Sequence, residues 1–179
     1  LPGLLIYVFP NGHIFGSFSI IFHYRCGKNG LITSDWCPQG LPTRDGAEPV
    51  SKVVPKEWLK DLSMVMGTDC TYGEGGKRKS REAEKERLKA WIHKRLERSG
   101  KIIIPALRFG RSQDIALDIA SMGFNIPLYV DGGARLGFKI ALENPWCDND
   151  RTDFSMNGIR FVESPAHREE LLGSPDPMI

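Results

Sequence analysis

The chain is poor in the features that would assign it to a membrane or to an oxidising compartment. Its 179 residues hold only four cysteines, Cys26, Cys37, Cys70 and Cys147. These are widely spaced and form no C-x-x-C pair, so they read as free thiols in a reducing, cytoplasmic compartment rather than as a disulfide framework. No apolar run approaches the ~18 residues needed to span a bilayer, and no signal peptide is visible, so no membrane partner is expected. Charge of neither sign dominates: 24 Lys and Arg stand against 22 Asp and Glu, a formal net charge of +2. That balance does not by itself argue for nucleic acid, because the basic residues are concentrated in one region. No internal repeat and no low-complexity tract interrupts the sequence. An initiating Met is also lacking. The chain opens inside an apolar run and Pro177-Met178-Ile179 reads as the start of another, so the expectation is a segment of a longer protein.

What is present is ordinary globular composition, 41% apolar and 26% charged, enough for one domain or parts of two. Residues 4–9 read as a buried strand, and Pro10-Asn11-Gly12 as turn chemistry. Phe18, Ile20 and Phe22 alternate with Ser19, Ile21 and His23, a strand with one face better buried than the other. Gly27-Lys28-Asn29-Gly30 reads as a hairpin-like turn, and 31–34 as a third strand with Asp35-Trp36 at its end. The next two dozen residues, rich in proline, read as an irregular surface loop, with at most a short helical turn over 55–62. A fourth strand over 63–68 ends at Asp69.

The pattern then changes. Leu88, Trp91, Ile92 and Leu96 in the charged stretch 77–98 fall at helical spacing, with Ser80 as a plausible start and Ser99-Gly100 as a stop. Residues 101–105 read as a buried strand, 112–122 as a helix stopped by Gly123, 126–130 as a strand ending at Asp131, and 134–142 as a third helix. A strand over 157–162 and a short helix over 164–172 follow. Helix and strand alternate from residue 77 onward, which predicts a parallel sheet flanked by helices.

His13, Asp35 and Asp69 each lie beside the end of a predicted strand, where open α/β sheets place ligands. A histidine and carboxylates converging from separate strands are ligand types of a hydrolytic zinc site. Taken singly, His13 also reads as a turn histidine, and Asp35 and Asp69 as caps of a loop or helix; spacing and composition do not separate these. His23, His93 and His167 read as surface or packing residues. Arg111 sits after a strand at a helix start, where backbone N–H groups favour phosphate, or ties the turn to a neighbouring carboxylate. The charged stretch 77–98 mixes glutamates with its lysines and arginines, which reads as a solvated helix face more than as an RNA-binding surface.

Five segments carry a resemblance. Pro10-Asn11-Gly12-His13-Ile14-Phe15-Gly16-Ser17 resembles the G-H-x-x-G-S segment of the metallo-β-lactamase superfamily. Leu31-Ile32-Thr33-Ser34-Asp35 is similar to the strand that delivers that family's bridging aspartate, with Ser34 where the family usually has Gly. Asp69-Cys70-Thr71-Tyr72-Gly73 resembles the acidic-x-T-Y-G signature of the β-CASP branch. Ile104-Pro105-Ala106-Leu107-Arg108-Phe109-Gly110-Arg111-Ser112-Gln113 is similar to its I-P-A-x-x-x-G-R-x-Q segment, and Ile126-Pro127-Leu128-Tyr129-Val130-Asp131-Gly132 to its I-P-x-Y-V-D segment. The pattern is closest to the RNA-processing members.

The resemblance implies an α/β fold. Residues 1–75 would be the later part of an αββα sandwich, and 76–179 most of a β-CASP domain with a parallel, Rossmann-like sheet, truncated at its C-terminus. It implies His13 as a ligand of one zinc ion, Asp35 as the bridge between two, and Asp69 as a catalytic-site residue that orients a later histidine. Arg111 would bind substrate. The implied activity is two-zinc hydrolysis of RNA, the implied partner is RNA, and a homodimer is compatible with it. A DNA nuclease of the same superfamily and a non-catalytic scaffold of an RNA-processing complex are the alternatives. The family's H-x-H-x-D-H motif and its later histidines are absent from this sequence. This chain alone is therefore expected not to hold a two-zinc site, because two ligands stand where about four per metal are needed.

Overall fold

The computed structural model describes residues 3–67, 80–98, 100–143, 156 and 158–179. Two compact units divide the chain: Leu1–Gly76 with Pro145–Thr152, and Lys77–Asn144 with Asp153–Ile179. The Asp69–Gly73 segment, with Asp69 itself, lies outside the described residues.

In the first unit, β1 (Leu4–Pro10), β2 (Phe18–Tyr24), β3 (Asn29–Ile32) and β4 (Leu62–Met66) form one sheet in that order. β1–β2 and β2–β3 are antiparallel, whereas β3 and β4 run parallel. A parallel pair needs a long crossover, and the stretch between them supplies it with two helical turns, α1 (Val50–Val53) and α2 (Lys56–Lys60). Phe9, Ile21 and Leu31 project from one face of the sheet and bury against Val54, with Trp58 and Leu59 alongside. Ile21 is fully buried, so cutting it to Ala should cost about 2–5 kcal/mol. The opposite face stays open: Ile6, Val8, Phe18, Met64 and Met66 are 46–61% exposed.

The second unit carries α3 (Arg81–Leu96), α4 (Arg111–Ser121), β5 (Leu128–Val130), α5 (Gly133–Glu143), β6 (Ile159–Phe161) and α6 (Pro165–Gly173). β5 and β6 pair in parallel. Ser80 caps α3 by accepting from the Ala83 amide at 3.1 Å, a bond of the kind worth about 1 kcal/mol. Ile92 of α3, Leu117 and Ile119 of α4, Leu128 and Val130 of β5 and Phe138 of α5 form one core. α3 is also tied to α4 by charge. Asp118, largely buried, accepts from Arg81 and lies 3.2 Å from Lys85. Part of the basic stretch is thus engaged within the fold.

Several elements differ from the sequence expectation. Asn29 and Gly30 belong to β3 and not to the turn, which is Arg25–Lys28, closed by Tyr24 N–H to Lys28 O at 2.9 Å. Asn29 is held in the strand because its Nδ2 donates to Trp58 O at 2.8 Å. Gly30 lies under the Phe22 ring, where a Cβ would stand 2.3 Å from ring carbons. The better-buried face of β2 is that of Ser19 and Ile21, because α1 and α2 pack on that side. The proline-rich stretch contains α1, which the prolines start rather than forbid: Pro49 is its N-cap. The largest departure is at 101–105. Only Lys101 makes a strand bridge, with Met178, and Ile103 is 77% exposed.

Candidate metal centre

The segment Pro10–Ser17 leaves β1 and enters β2 through a tight loop. Gly12 has φ +71°, and a Cβ there would meet Cys37 O at 2.4 Å, so no other residue fits. Gly16 also has positive φ, and Ser17 closes the loop by donating to Ile14 O at 2.6 Å and accepting from Ile14 N at 3.0 Å. This fixes His13 at the strand mouth, half-exposed. Asp35 follows β3, whose neighbour on the β1 side is β2. The loop after β1 and the end of β3 therefore open on the same edge, and His13 Nε2 lies 3.3 Å from Asp35 Oδ2.

That separation suits two ligands of one ion: nitrogen and oxygen legs of about 2.1 Å at a tetrahedral angle span about 3.4 Å. The donor set, imidazole and carboxylate, is of the zinc type. It is also incomplete, since among the described residues no group of three or more His, Cys, Asp or Glu could hold a metal ion. The residues present thus fit part of a metal site.

Two residues that sequence reading passed over hold this pair. Asn11 is fully buried. Its Oδ1 accepts from the His13 amide at 3.1 Å, its Nδ2 donates to Ser34 Oγ, and its carbonyl accepts from Cys37 N at 2.9 Å. One side chain thereby links the residue before Asp35 to the backbone of His13. Arg44 is 1% exposed; its Nε donates to Gly12 O at 2.8 Å, its Nη2 to His13 O and its Nη1 to Thr43 Oγ1 at 2.6 Å. The successive carbonyls of Gly12 and His13 thus end on one guanidinium. Asn11 was legible only as turn chemistry, and Arg44 lies 31 residues beyond His13 in a stretch read as irregular.

The other histidines serve packing. His23 stacks on Trp58 at 5.0 Å and bonds Asn29, His93 packs on Phe124 at 4.9 Å, and His167 Nδ1 accepts from Glu163 N at 3.2 Å. Arg111 belongs to the second unit, in the first turn of α4, and its side chain is exposed. The turn before it is set by Gly110, with φ +81°, and by fully buried Gln113. Gln113 Oε1 accepts from Gly110 N at 2.7 Å and its Nε2 donates to Ala134 O at 2.8 Å. Asp131, after β5, is paired with Arg168, which holds its carboxyl below the usual range.

An α/β chain with a histidine–carboxylate pair at a sheet edge defines a class that relatives narrow. The chain is similar to the transcription termination factor FttA of Pyrococcus abyssi, 34% identical over 137 residues that cover 73% of this chain and 20% of that protein. It belongs to the β-CASP branch of the metallo-β-lactamase superfamily. It is also similar to the protein named "Probable RNase MJ4" of Methanocaldococcus jannaschii, 26% identical over 90% of this chain and 36% of that protein. The Integrator complex subunit 11 homolog of Dictyostelium discoideum is 26% identical over 98% of this chain and 23% of its own length. The chain therefore spans about a fifth to a third of these curated relatives. No family profile matches it. No helix among the described residues is long and apolar enough to cross a membrane.

Proposed function

We propose that the parent protein is a zinc-dependent ribonuclease that cleaves RNA phosphodiester bonds in RNA processing or decay, in the cytoplasm. The observation that carries this reading is the 3.3 Å approach of His13 Nε2 to Asp35 Oδ2 in a chain of this family. Residues 1–75 would belong to the metallo-β-lactamase domain and 76–179 to the β-CASP domain, with RNA as substrate. His13 and Asp35 would each supply one donor to a two-zinc centre, Asp35 as the bridge. Asp69 would orient a histidine supplied from elsewhere in the parent, and Arg111 would meet a substrate phosphate. When bound, the zinc ions would make water a nucleophile at neutral pH and neutralise the charge that builds on the phosphate. The chain's own contribution is positional. Asn11 and Arg44 fix the backbone on both sides of His13 before any ion arrives, so ordering the ligands costs little on binding. A relative is a named Integrator subunit, so assembly into a larger complex belongs to the same reading, as does a homodimer.

The test is cleavage of end-labelled RNA and of DNA of the same sequence by the full-length parent. RNA cleavage should stop on chelation and return with zinc, and Asp35→Ala should lower it at least about a hundredfold, as for loss of a metal-site partner. Cleavage of DNA alone would make the parent a DNA nuclease, and cleavage of neither would make it a scaffold. The isolated chain should bind zinc weakly; calorimetry that finds two ions bound below micromolar concentration would refute the incomplete-site reading.

A further inference from the structure

The charges of α3 are mixed along the sequence but sorted around the helix. Arg87, Trp91, Lys94, Arg95 and Arg98 fall at i, i+4, i+7, i+8 and i+11, and all five are exposed. They form one stripe beside the inward line of Leu88, Ile92 and Leu96. Arg98 stays in register just past the helix end, its amide donating to Arg95 O at 3.0 Å. Glu82, Glu86 and Glu97 are exposed on the other flank. The acid nearest the basic stripe, Glu84, is taken by Arg87, whose Nη1 donates to both of its carboxylate oxygens at 2.8 Å. Arg81 and Lys85 are engaged by Asp118. Lys94, Arg95 and Arg98 have no carboxylate partner among the described residues.

Trp91 stands among these cations. It is 43% exposed, and the Arg95 guanidinium carbon lies 5.4 Å from its ring centroid. Cations in the last turn of a helix complement its dipole whatever they face. An exposed indole adds nothing to that role. A ring with a guanidinium beside it does offer a stacking platform to a nucleobase, while neighbouring cations meet phosphates. An acidic polypeptide would use the cations and leave the ring idle. A duplex keeps its base faces stacked inside, whereas a single strand can turn them outward. At 1.5 Å per residue the stripe runs about 16 Å, room for a short stretch of strand.

We propose that this stripe of α3 is a docking surface for single-stranded RNA. Lys94 and Arg98 hold phosphates, and a base stacks on Trp91 beside Arg95. Nothing in the stripe reads base edges, so it takes RNA of any sequence. RNA rather than DNA is named because the proposal rests on the nuclease reading for its ligand; the ring and the charges stand without it.

The test is binding of the full-length parent to a fluorescein-labelled oligouridylate of about twelve nucleotides. Anisotropy is followed across salt concentrations, with a chelator present to keep the probe intact. Lys94→Gln, Arg95→Gln and Arg98→Gln together should weaken binding at least about tenfold and make the slope of log affinity against log salt shallower by about 2. Lys28→Gln, Lys56→Gln and Lys60→Gln remove the same charge from exposed sites elsewhere and should cost less than about twofold. Trp91→Ala should weaken binding at least about fivefold, and Trp91→Phe, which keeps a ring, less than about twofold. In the unsubstituted parent, 4-thiouridine in the probe should photo-crosslink to the peptide that contains Trp91. Equal losses in the two triple variants would reduce the effect to net charge and overturn the proposal, as would the absence of that crosslink. Polyglutamate that displaces the probe as well as unlabelled oligouridylate of equal charge would give the stripe to an acidic protein and overturn the assignment to RNA. A parent that cleaves RNA yet fails these arms refutes the surface alone; one that passes them yet cleaves no RNA refutes the nuclease reading alone.

Discussion

Replacing Asn11 by Ala should damage the first unit more than its size suggests. The side chain is fully buried and makes two bonds, one accepted from the His13 amide at 3.1 Å and one donated to Ser34 Oγ. A made hydrogen bond contributes about 1 kcal/mol net, and leaving the part-buried His13 amide without its acceptor costs up to about 1–3 kcal/mol. The sum predicts a loss of about 2–4 kcal/mol. Ser34→Ala is the control. It keeps Asn11 as the acceptor for His13 and removes only the partner of Asn11 Nδ2, so it should cost about 0.5–1.5 kcal/mol. Urea unfolding followed by fluorescence of Trp36 and Trp58, with the other tryptophans replaced by Phe, reads this unit alone. A loss under about 1 kcal/mol for Asn11→Ala, or equal losses for the two variants, would refute the bridging role. In the parent, zinc affinity should fall for Asn11→Ala more than for Ser34→Ala.

Arg44→Met should unfold the loop that carries His13, at about 2–4 kcal/mol, because the carbonyls of Gly12 and His13 lose their shared donor; the same unfolding assay reads it. Ser19→Ala should be neutral or stabilising by up to about 1 kcal/mol, since the Ser19 hydroxyl is buried with no partner among the described residues; destabilisation beyond about 1 kcal/mol would point to a partner for it. Asp131, with its carboxyl held low by hydrogen bonds from Arg168, binds its proton less readily folded than unfolded. Its contribution to stability is therefore complete above the ordinary carboxylate range near pH 4 and is lost as pH falls through the lower folded value. Acid unfolding of the second unit, followed by amide exchange in β5, should show that slope, and Asp131→Asn should remove it.

Sequence signals located most elements where their information is local. Ser80 gives α3 its start and Ile92 its buried face, and both act within a turn or two. Asn29-Gly30 misled because its turn chemistry is overridden by contacts from afar: Trp58 O, 29 residues on, and the ring of Phe22. The run 101–105 misled for the complementary reason. A strand needs partners as well as composition, and it finds one at a single rung. His13 and Asp35 were legible as a motif pair, and the fold brings them together. Asn11 and Arg44 were not legible as their supports, because a buried amide and a buried guanidinium take their meaning from loop closure.

The open side of the first sheet has a practical consequence. Ile6, Val8, Phe18, Met64 and Met66 make one flank of the unit oily while its loops remain polar, which is the build of a surfactant. Such a molecule collects at air–water and plastic surfaces. Salts that strengthen apolar association should worsen those losses rather than cure them.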